Sequence, residues 1–555
     1  MKKYSVLAAS LLIVACSPAS EPETSAAPHV EVDPYSFNEN YRDYLATISS
    51  DKFEGRAPAS KGEQLTVDFV TEKFRNWGLK PYNSEADSYR QEVPLVKMTP
   101  YSVSDMSFSN NDLDDFAYKQ DMMAWSPRVQ EEVSLANSEM VFAGYGIVAP
   151  EFGWNDYEGL DVEGKTVVVL VNDPGYDSAD PEVFNGKAMT YYGRWTYKFE
   201  EASRQGAAGI IVIHETGPAG YGWGVIAGGS PVRFDLARDN KNMDRTEVEG
   251  WITQEAADKL FARVGSSYTD MRQQAQQPDF EPVPLNTALS LTVQSDFEYL
   301  DSPNLIGYIE GSKAPEEHVI YMAHWDHLGM NPIASDDQIY NGAQDNASGT
   351  AGVLALAEFY ASQPQPERSV VFVLVTAEER GLLGSNWYAN NPMLPLSQAV
   401  AGINMDVLNV YGPMQDMVVV GHGNSELEDY LAKYVAQQEG RYIAPEPTPE
   451  AGSFYRSDHF NLAKRGVPML YAKGGNDHVD YGVEYGKEKR AEYVQVAYHK
   501  PADEYDPEWD LRGVQQDLWL YYWIGNELAN SDSWPNWYAG NEFRATRDAS
   551  ADERQ

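Results

Sequence analysis

Histidines and carboxylates recur in short clusters along the C-terminal half of the chain: His324-Trp325-Asp326-His327, Asp345-Asn346, Glu378-Glu379, Asn404-Met405-Asp406, Ser457-Asp458-His459 and Tyr498-His499. The chain's one cysteine, Cys16, lies far upstream, so these clusters offer only nitrogen and oxygen donors. Imidazole and carboxylate donors without sulfur suit Zn2+ or a similar divalent ion held for catalysis. Five donors hold two ions if one carboxylate bridges. His324 and Asp406 are assigned to one metal, Glu379 and His499 to the other, and Asp345 to both. Three carboxylates bring −3 against +4 from two divalent ions, and a bridging hydroxide cancels the remainder. Bound zinc lowers the pKa of its water to ~7, so this hydroxide is the expected nucleophile, and ions ~3.5–4 Å apart would also polarise the scissile carbonyl. Glu378 adjoins a ligand but points elsewhere, which suits a general base that takes the water's proton and returns it to the leaving amine. Asp326 is expected to hydrogen-bond the free ring nitrogen of His324 and fix its tautomer.

The elements that position these residues follow from hydrophobic pattern. Beyond Ser302-Pro303-Asn304, apolar runs at Leu305–Ile309, His318–Ala323, Val370–Thr376, Val400–Ile403 and Val467–Tyr471 read as buried strands. Helical patterns at Gly349–Ala361, Gly381–Ala389, Leu427–Gln438 and Val514–Ala529 intervene or follow. This alternation predicts an α/β fold, a doubly wound and mostly parallel sheet with helices on both faces. In such sheets ligands bind beyond the carboxyl ends of the strands, where the His and acidic clusters fall. Upstream, Tyr41 to Leu79 reads as helical, with Gly78 placed to end it. Between Gln91 and about Val293, short apolar runs broken by Gly and Pro predict a smaller β-rich module without acid/base clusters.

Composition narrows the function classes. The 555 residues carry 42 Lys+Arg against 84 Asp+Glu, a formal charge of −42. Such a surface repels phosphate backbones, which excludes nucleic-acid binding and a polybasic membrane dock. Met1-Lys2-Lys3 followed by an apolar stretch to Ala15 fits a signal peptide, too short to span a bilayer. Ile13-Val14-Ala15-Cys16 resembles a bacterial lipoprotein processing site, with Cys16 lipidated; the plainer alternative is secretory cleavage beside an incidental cysteine. Residues 16–34, rich in Ser, Pro, Ala and Glu, read as a tether. The expectation is an exported bacterial lipoprotein of the outer membrane, facing the periplasm or the cell surface, with the lipid at Cys16 its only membrane contact.

Several motifs carry a resemblance to a known family. His324-x-Asp326, Gly342-Ala343-x-Asp345-Asn346-Ala347-Ser348-Gly349, Ala377-Glu378-Glu379-x-Gly381-Leu382-x-Gly384-Ser385, Met405-Asp406, Ser457-Asp458-His459 and Tyr498-His499 resemble the M28 metallopeptidases in order and spacing, across about Ser302 to Leu528. Phe53-Glu54-Gly55-Arg56 resembles the start of family members that carry a protease-associated (PA) domain. Gly144-Tyr145-Gly146, Gly164–Val169 and Ala207–Val212 loosely resemble that domain itself. The resemblance implies a phosphorylase/hydrolase-like sheet, a co-catalytic pair of Zn2+ per chain, a cis peptide bond after Asp345, and removal of N-terminal residues from peptides that have a free N-terminus. Gln344 stands where many members carry a second acid, which leaves the bridging Asp345 unaffected.

The resulting organisation is a signal peptide over 1–15, a tether over 16–34, the N-terminal part of the peptidase over 35–125, a PA-like insert over 126–293, the M28-type domain over 294–540 and a frayed charged tail over 541–555. Tyr455, Asp458 and His459 are candidate substrate contacts, with packing or structural hydrogen bonding as the alternative. His327, His422 and His478 are left as solvated or internally satisfied histidines. Trp519–Trp523 is expected to pack its helix on the sheet. Other activities stay open: a carboxypeptidase or dipeptidase in which Arg456 reads the substrate carboxylate, a glutaminyl-cyclase-like enzyme with one zinc, or an inactive surface binding protein.

Overall fold

The computed structural model describes residues 33–109, 113–178 and 180–554. The expected signal peptide, the lipidation site Cys16 and nearly all of the tether lie outside them. The N-terminal segment contributes helices α1 (Tyr41–Ile48) and α2 (Lys61–Asn76) and the strand β1 (Arg90–Val103). The expected continuous helix is broken between α1 and α2, because Glu54 and Gly55 adopt left-handed conformations, φ 47° and 66°. A β-carbon on Gly55 would sit 2.4 Å from the Gly329 carbonyl oxygen, so the chain crosses there on glycine alone.

The next strands are β2 (Met122–Trp125), β3 (Glu132–Phe142), β4 (Thr166–Leu170), then helix α3 (Trp195–Arg204), β5 (Gly209–Ile213) and β6 (Val248–Ile252). Strands β3 to β6 pair in parallel, and β2 closes the edge antiparallel to β6. β4 and β5 are valine- and isoleucine-rich and buried throughout, as parallel strands covered on both faces must be.

One long strand, β7 (Val283–Ile309), runs into the second half of the sheet. It pairs antiparallel with β3 near its start and with β9 (Arg368–Val375) over Leu305–Ile309. The parallel core of that half is β8 (Ala314–His324) between β9 and β10 (Ala399–Asn404), with β13 (Met469–Gly474) beyond β10. β11 (Asp416–Val419) and β12 (Tyr442–Pro445) complete the edge. The main path through the sheet is β12-β11-β13-β10-β8-β9-β7-β3-β4-β5-β6-β2, and β1 pairs antiparallel with β7 off that path. Helix α4 (Ser348–Ala361), apolar on nearly all sides, is buried in the second half, and α5 (Leu383–Asn390) and α6 (Arg512–Ala529) also pack there. Trp519 of α6 meets Phe37 and Phe359, the packing role expected of that aromatic cluster.

Two boundaries and the tail differ from expectation. β2 belongs by its pairing to the strands after residue 126, and the break expected at 293/294 falls inside β7. The tail is not frayed: Arg547 is buried and donates to the Ala399 and Val400 carbonyls at the entry to β10 and to the Pro535 carbonyl. No helix among the described residues is long and apolar enough to cross a membrane.

Candidate metal centre

The clusters converge at the carboxyl ends of β8, β9 and β10. His324 is the last residue of β8; Glu378 and Glu379 follow β9 across Ala377, whose φ is 51°; Asp406 follows β10. Asp345 comes from the turn that opens α4, and its peptide bond to Asn346 is cis. Asn346 ties this turn to the β10 loop, donating to Met405 O at 3.0 Å and accepting from Gly349 N at 2.9 Å. Gly349 is required there, since a β-carbon would sit 2.3 Å from Met405 O.

Two donor groups form around Asp345. His324 Nε2 lies 3.4 Å from Asp345 Oδ1 and 3.5 Å from Asp406 Oδ1. His499 Nε2 lies 3.1 Å from Asp345 Oδ2 and 3.3 Å from Glu379 Oε2. Two donors on one tetrahedral zinc, with bonds of ~2.0–2.3 Å, stand roughly 3.4 Å apart, so the spacings fit a metal in each group. His327 joins the second group: with Asp345 and Glu379 it forms a set of convergent ligand atoms, matching the set of His324, Asp345 and Asp406. That histidine was expected to be solvated or satisfied; it is instead fully buried, with Nδ1 2.7 Å from Glu379 Oε1. The string His324-Trp325-Asp326-His327 held the signal, but periodicity could not say which way the second ring faces.

The charge balance also calls for cations. Glu379 Oε1, Asp326 Oδ2 and both Asp458 carboxylate oxygens are buried without a hydrogen-bond partner. Burial lifts Asp326 to about 6 and Asp458 to about 7, with His324 opposing in both cases. Burial, Glu379, Asp458 and Asp406 push Glu378 well above the carboxylate range against His324. Burial would lower His324, but Glu378, Asp345 and Asp406 raise it well above its usual value. His499 is raised likewise, by Asp345 and Glu379 against burial. The acids around them thus favour positive charge on the two imidazoles, a demand that a divalent ion would also meet.

The sequence of residues 304–523 matches the profile of peptidase family M28. Residues 304–523 are a peptidase family M28 domain. Among curated relatives, the rat aminopeptidase NAALADL1 is 26% identical over 257 residues, 41% of this chain and 31% of that protein. A probable zinc metalloprotease of Pyrenophora tritici-repentis is 30% identical over 125 residues, 22% of this chain and 25% of that protein. The chain thus spans at most about a third of the length of these relatives. Among solved structures, an aminopeptidase from Aneurinibacillus sp. strain AM-1 has a TM-score of 0.47 at 18% identity, covering 89% of this chain and 95% of that one.

Around the metal donors the M28 domain builds a supporting shell. His324 Nδ1–H donates to the backbone carbonyl of Asp326 at 3.1 Å, which leaves Nε2 as the free donor. The Asp326 carboxylate, expected to take that hydrogen bond, is 3.8 Å from Nδ1 and instead accepts the Glu378 N–H at 3.1 Å. It therefore sets the turn that carries Glu378 and Glu379. Asp503, unremarked in the sequence, accepts the N–H groups of Gln344 and Asp345 at 2.9 and 3.0 Å. Gln344 itself bonds Leu408 O and the Tyr411 hydroxyl, away from the donor groups. Arg56, from the Phe53–Arg56 motif, is buried beneath the site and donates to Trp325, Ile48, Asn341 and Gly342 carbonyls.

The three candidate substrate contacts are buried. The Tyr455 hydroxyl, expected to reach a substrate carbonyl, donates to Glu542 Oε1 at 2.8 Å and so is already engaged. His459 sits 4.5 Å from the Phe454 ring, and burial lowers it to about 3, so it is neutral. Asp458 acts on the site as a charge beside Glu378. His422 lies 3.6 Å from Glu428, and His478 accepts the Asp480 and Tyr481 N–H groups, as expected of satisfied histidines.

Proposed function

We propose that this chain is a zinc-dependent aminopeptidase that binds two Zn2+ and removes N-terminal residues from peptides with a free N-terminus. The observation that carries the reading is the pair of donor groups sharing Asp345, with the half-buried Glu378 close enough to raise the His324 pKa. When bound, the ions supply Lewis acidity, lowering the pKa of a water and polarising a carbonyl. His324, Asp406 and Asp345 would hold one ion; Glu379, His499 and Asp345 would hold the other. Glu378 takes a proton from the attacking water and returns it to the leaving amine. Asp326 keeps Glu378 in place through its backbone N–H, and Asp503 keeps Asp345 in place.

The strands β2 to β6 with α3 form the proposed PA-like module, which roofs the cleft and restricts substrate size. The chain is proposed to be an exported bacterial lipoprotein anchored through Cys16 at the outer membrane, with peptides rather than nucleic acid as partners. Loss of metabolic lipid labelling in Cys16→Ser tests the anchor. The activity is tested by initial rates on aminoacyl-p-nitroanilides and on their N-acetyl derivatives, together with zinc content. Two zincs and cleavage of free amines alone support the aminopeptidase; cleavage of neither set overturns it.

A carboxypeptidase or dipeptidase is the second reading. Arg456 neighbours Arg194, a buried guanidinium whose Nε has no partner, and the aromatic ring of Tyr221. Two adjacent cations without an acidic partner among the described residues suit a substrate carboxylate. Cleavage of N-acetyl dipeptides with a free C-terminus, lost in Arg456→Ala, would favour this reading.

A further inference from the structure

His327 has no part in the five-donor assignment, and its geometry points to one. We propose that His327 is a fourth protein ligand of the metal held by Glu379, His499 and Asp345, while the ion at His324 and Asp406 keeps three. The inference rests on the zinc-peptidase reading above and adds an asymmetry between its two ions.

Burial supplies the first argument. His327 is wholly inaccessible, and neither ring nitrogen has a hydrogen-bond partner. Buried polar atoms left idle each cost ~1–3 kcal/mol, so a satisfied core histidine would be bonded to something. His318, equally buried, bonds one ring nitrogen, Nδ1 to the Glu316 carbonyl at 2.9 Å, and leaves Nε2 idle, whereas His327 bonds neither.

Direction supplies the second. His327 Nδ1 and Glu379 Oε1 are only 2.7 Å apart, yet both count as unpartnered, because the ring does not aim its nitrogen at that oxygen. At 2.7 Å the two atoms stand closer than the roughly 3.4 Å of donors on one tetrahedral zinc, so an ion held by both would part them by several tenths of an ångström. The Glu379 carboxylate then divides its oxygens, Oε1 towards His327 and Oε2 towards His499 at 3.3 Å. The two imidazole rings flank it, with centroids 5.9 Å apart.

The ring is also fixed in advance. A β-carbon on Gly342 would lie 2.5 Å from His327 Cγ and Cδ2, so the backbone of the Asp345 turn presses directly on the imidazole face. The His327 N–H donates to the Arg56 carbonyl at 3.3 Å. A donor held by packing loses little freedom on binding, which raises affinity. With four protein donors, the His327 site fills first. The His324 site, with three, binds more weakly and keeps an open position of the kind catalytic zinc needs.

The test uses the full chain stripped of metal. Zinc is titrated against a competing chelator, and X-ray absorption is recorded after a single equivalent has been added. Wild type is expected to bind in two steps, and the first zinc should show two imidazoles, His327 and His499. In His327→Gln the tighter step should weaken at least tenfold, with the weaker step within threefold of wild type. A single imidazole around the first zinc overturns the proposal without touching the peptidase reading, and this measurement needs no variant to fold. Two unchanged binding steps in His327→Gln with slower turnover also overturn it, since His327 would then only position Glu379. Failure of wild type to bind zinc overturns both readings.

Discussion

Arg56 offers a sharp test of how the N-terminal segment supports the metal centre. Its guanidinium donates through Nε to Trp325 O at 2.9 Å, through Nη1 to Ile48 O and Asn341 O at 2.8 and 2.6 Å, and through Nη2 to Gly342 O at 2.8 Å. Hydrogen bonds from a charged donor contribute ~1.5–3 kcal/mol each, but relaxation and water entry recover part of the loss when such a group is removed. Breaking a buried charged network costs about 3–5 kcal/mol in practice, and that is the expected destabilisation for Arg56→Met. Arg56→Lys should lie between, at roughly 2 kcal/mol, because an ammonium offers three donors from one point instead of a planar fork. Two of the four acceptors, Trp325 O and Gly342 O, adjoin His324 and the Asp345 turn, so zinc affinity should fall in step by ~10–100-fold. Burial pulls the Arg56 pKa down to about 10 against the attraction of Asp503, Asp326, Asp345 and Glu379, so it stays charged at neutral pH. Screening by salt should be slight for so enclosed a group. The assay is guanidinium unfolding followed by tryptophan fluorescence in excess chelator, paired with zinc competition. An Arg56→Met chain within ~1 kcal/mol of wild type, or a Lys variant worse than Met, would refute this account of the network.

Three further outcomes are expected. Glu378→Gln should keep its zinc while turnover falls by ~10²–10⁴, the usual contribution of a general base. Because the folded pKa of Glu378 is raised, the folded metal-free chain binds more protons there than the unfolded one, and stability is lost as pH rises from the unfolded value towards the folded one. The Gln variant should therefore melt higher than wild type in chelator above about pH 5, and a lower melting point at pH 8 would contradict this. His318 is lowered to about 4 by burial, with the Glu316 carbonyl opposing, so the unfolded chain binds the extra proton between pH 4 and 6.5. Stability is then lost as pH falls through that window, by at most ~3 kcal/mol, and His318→Asn should lose less of it between pH 7 and 4.5 in parallel melts. Arg194→Met should raise the unliganded melting point, since a buried guanidinium without an acidic partner is replaced by an apolar chain of similar length; a drop of several degrees would show that Arg194 is satisfied after all.

Residue type and order carried much of the chemistry on their own. Valine- and isoleucine-rich runs such as β9 have few states available besides a buried strand, so the α/β alternation was legible, and with it the rule that ligands gather beyond the strand ends. His324, Asp345, Glu379 and Asp406 could be picked out because they sit just after those runs or in the loop between them, and His499 from the Tyr498-His499 motif. Glu378 was separable from Glu379 because neighbouring side chains point apart.

Orientation and long-range contact were decided by tertiary structure alone. Nothing in His324-Trp325-Asp326-His327 tells which oxygen of Asp326 meets the His324 ring; the backbone turn after β8 gives that role to the carbonyl and turns the carboxylate to Glu378 N–H. Whether His327 faces solvent or the donor groups depends on the Gly342 backbone packing against it. The anchoring of Tyr455 by Glu542, the burial of Arg547 against β10 and the support of Asp345 by Asp503 each join segments far apart in the chain. Local pattern reports which residues leave water and with what period, whereas the partner of a buried polar group is selected by whichever distant element arrives with the complementary atom.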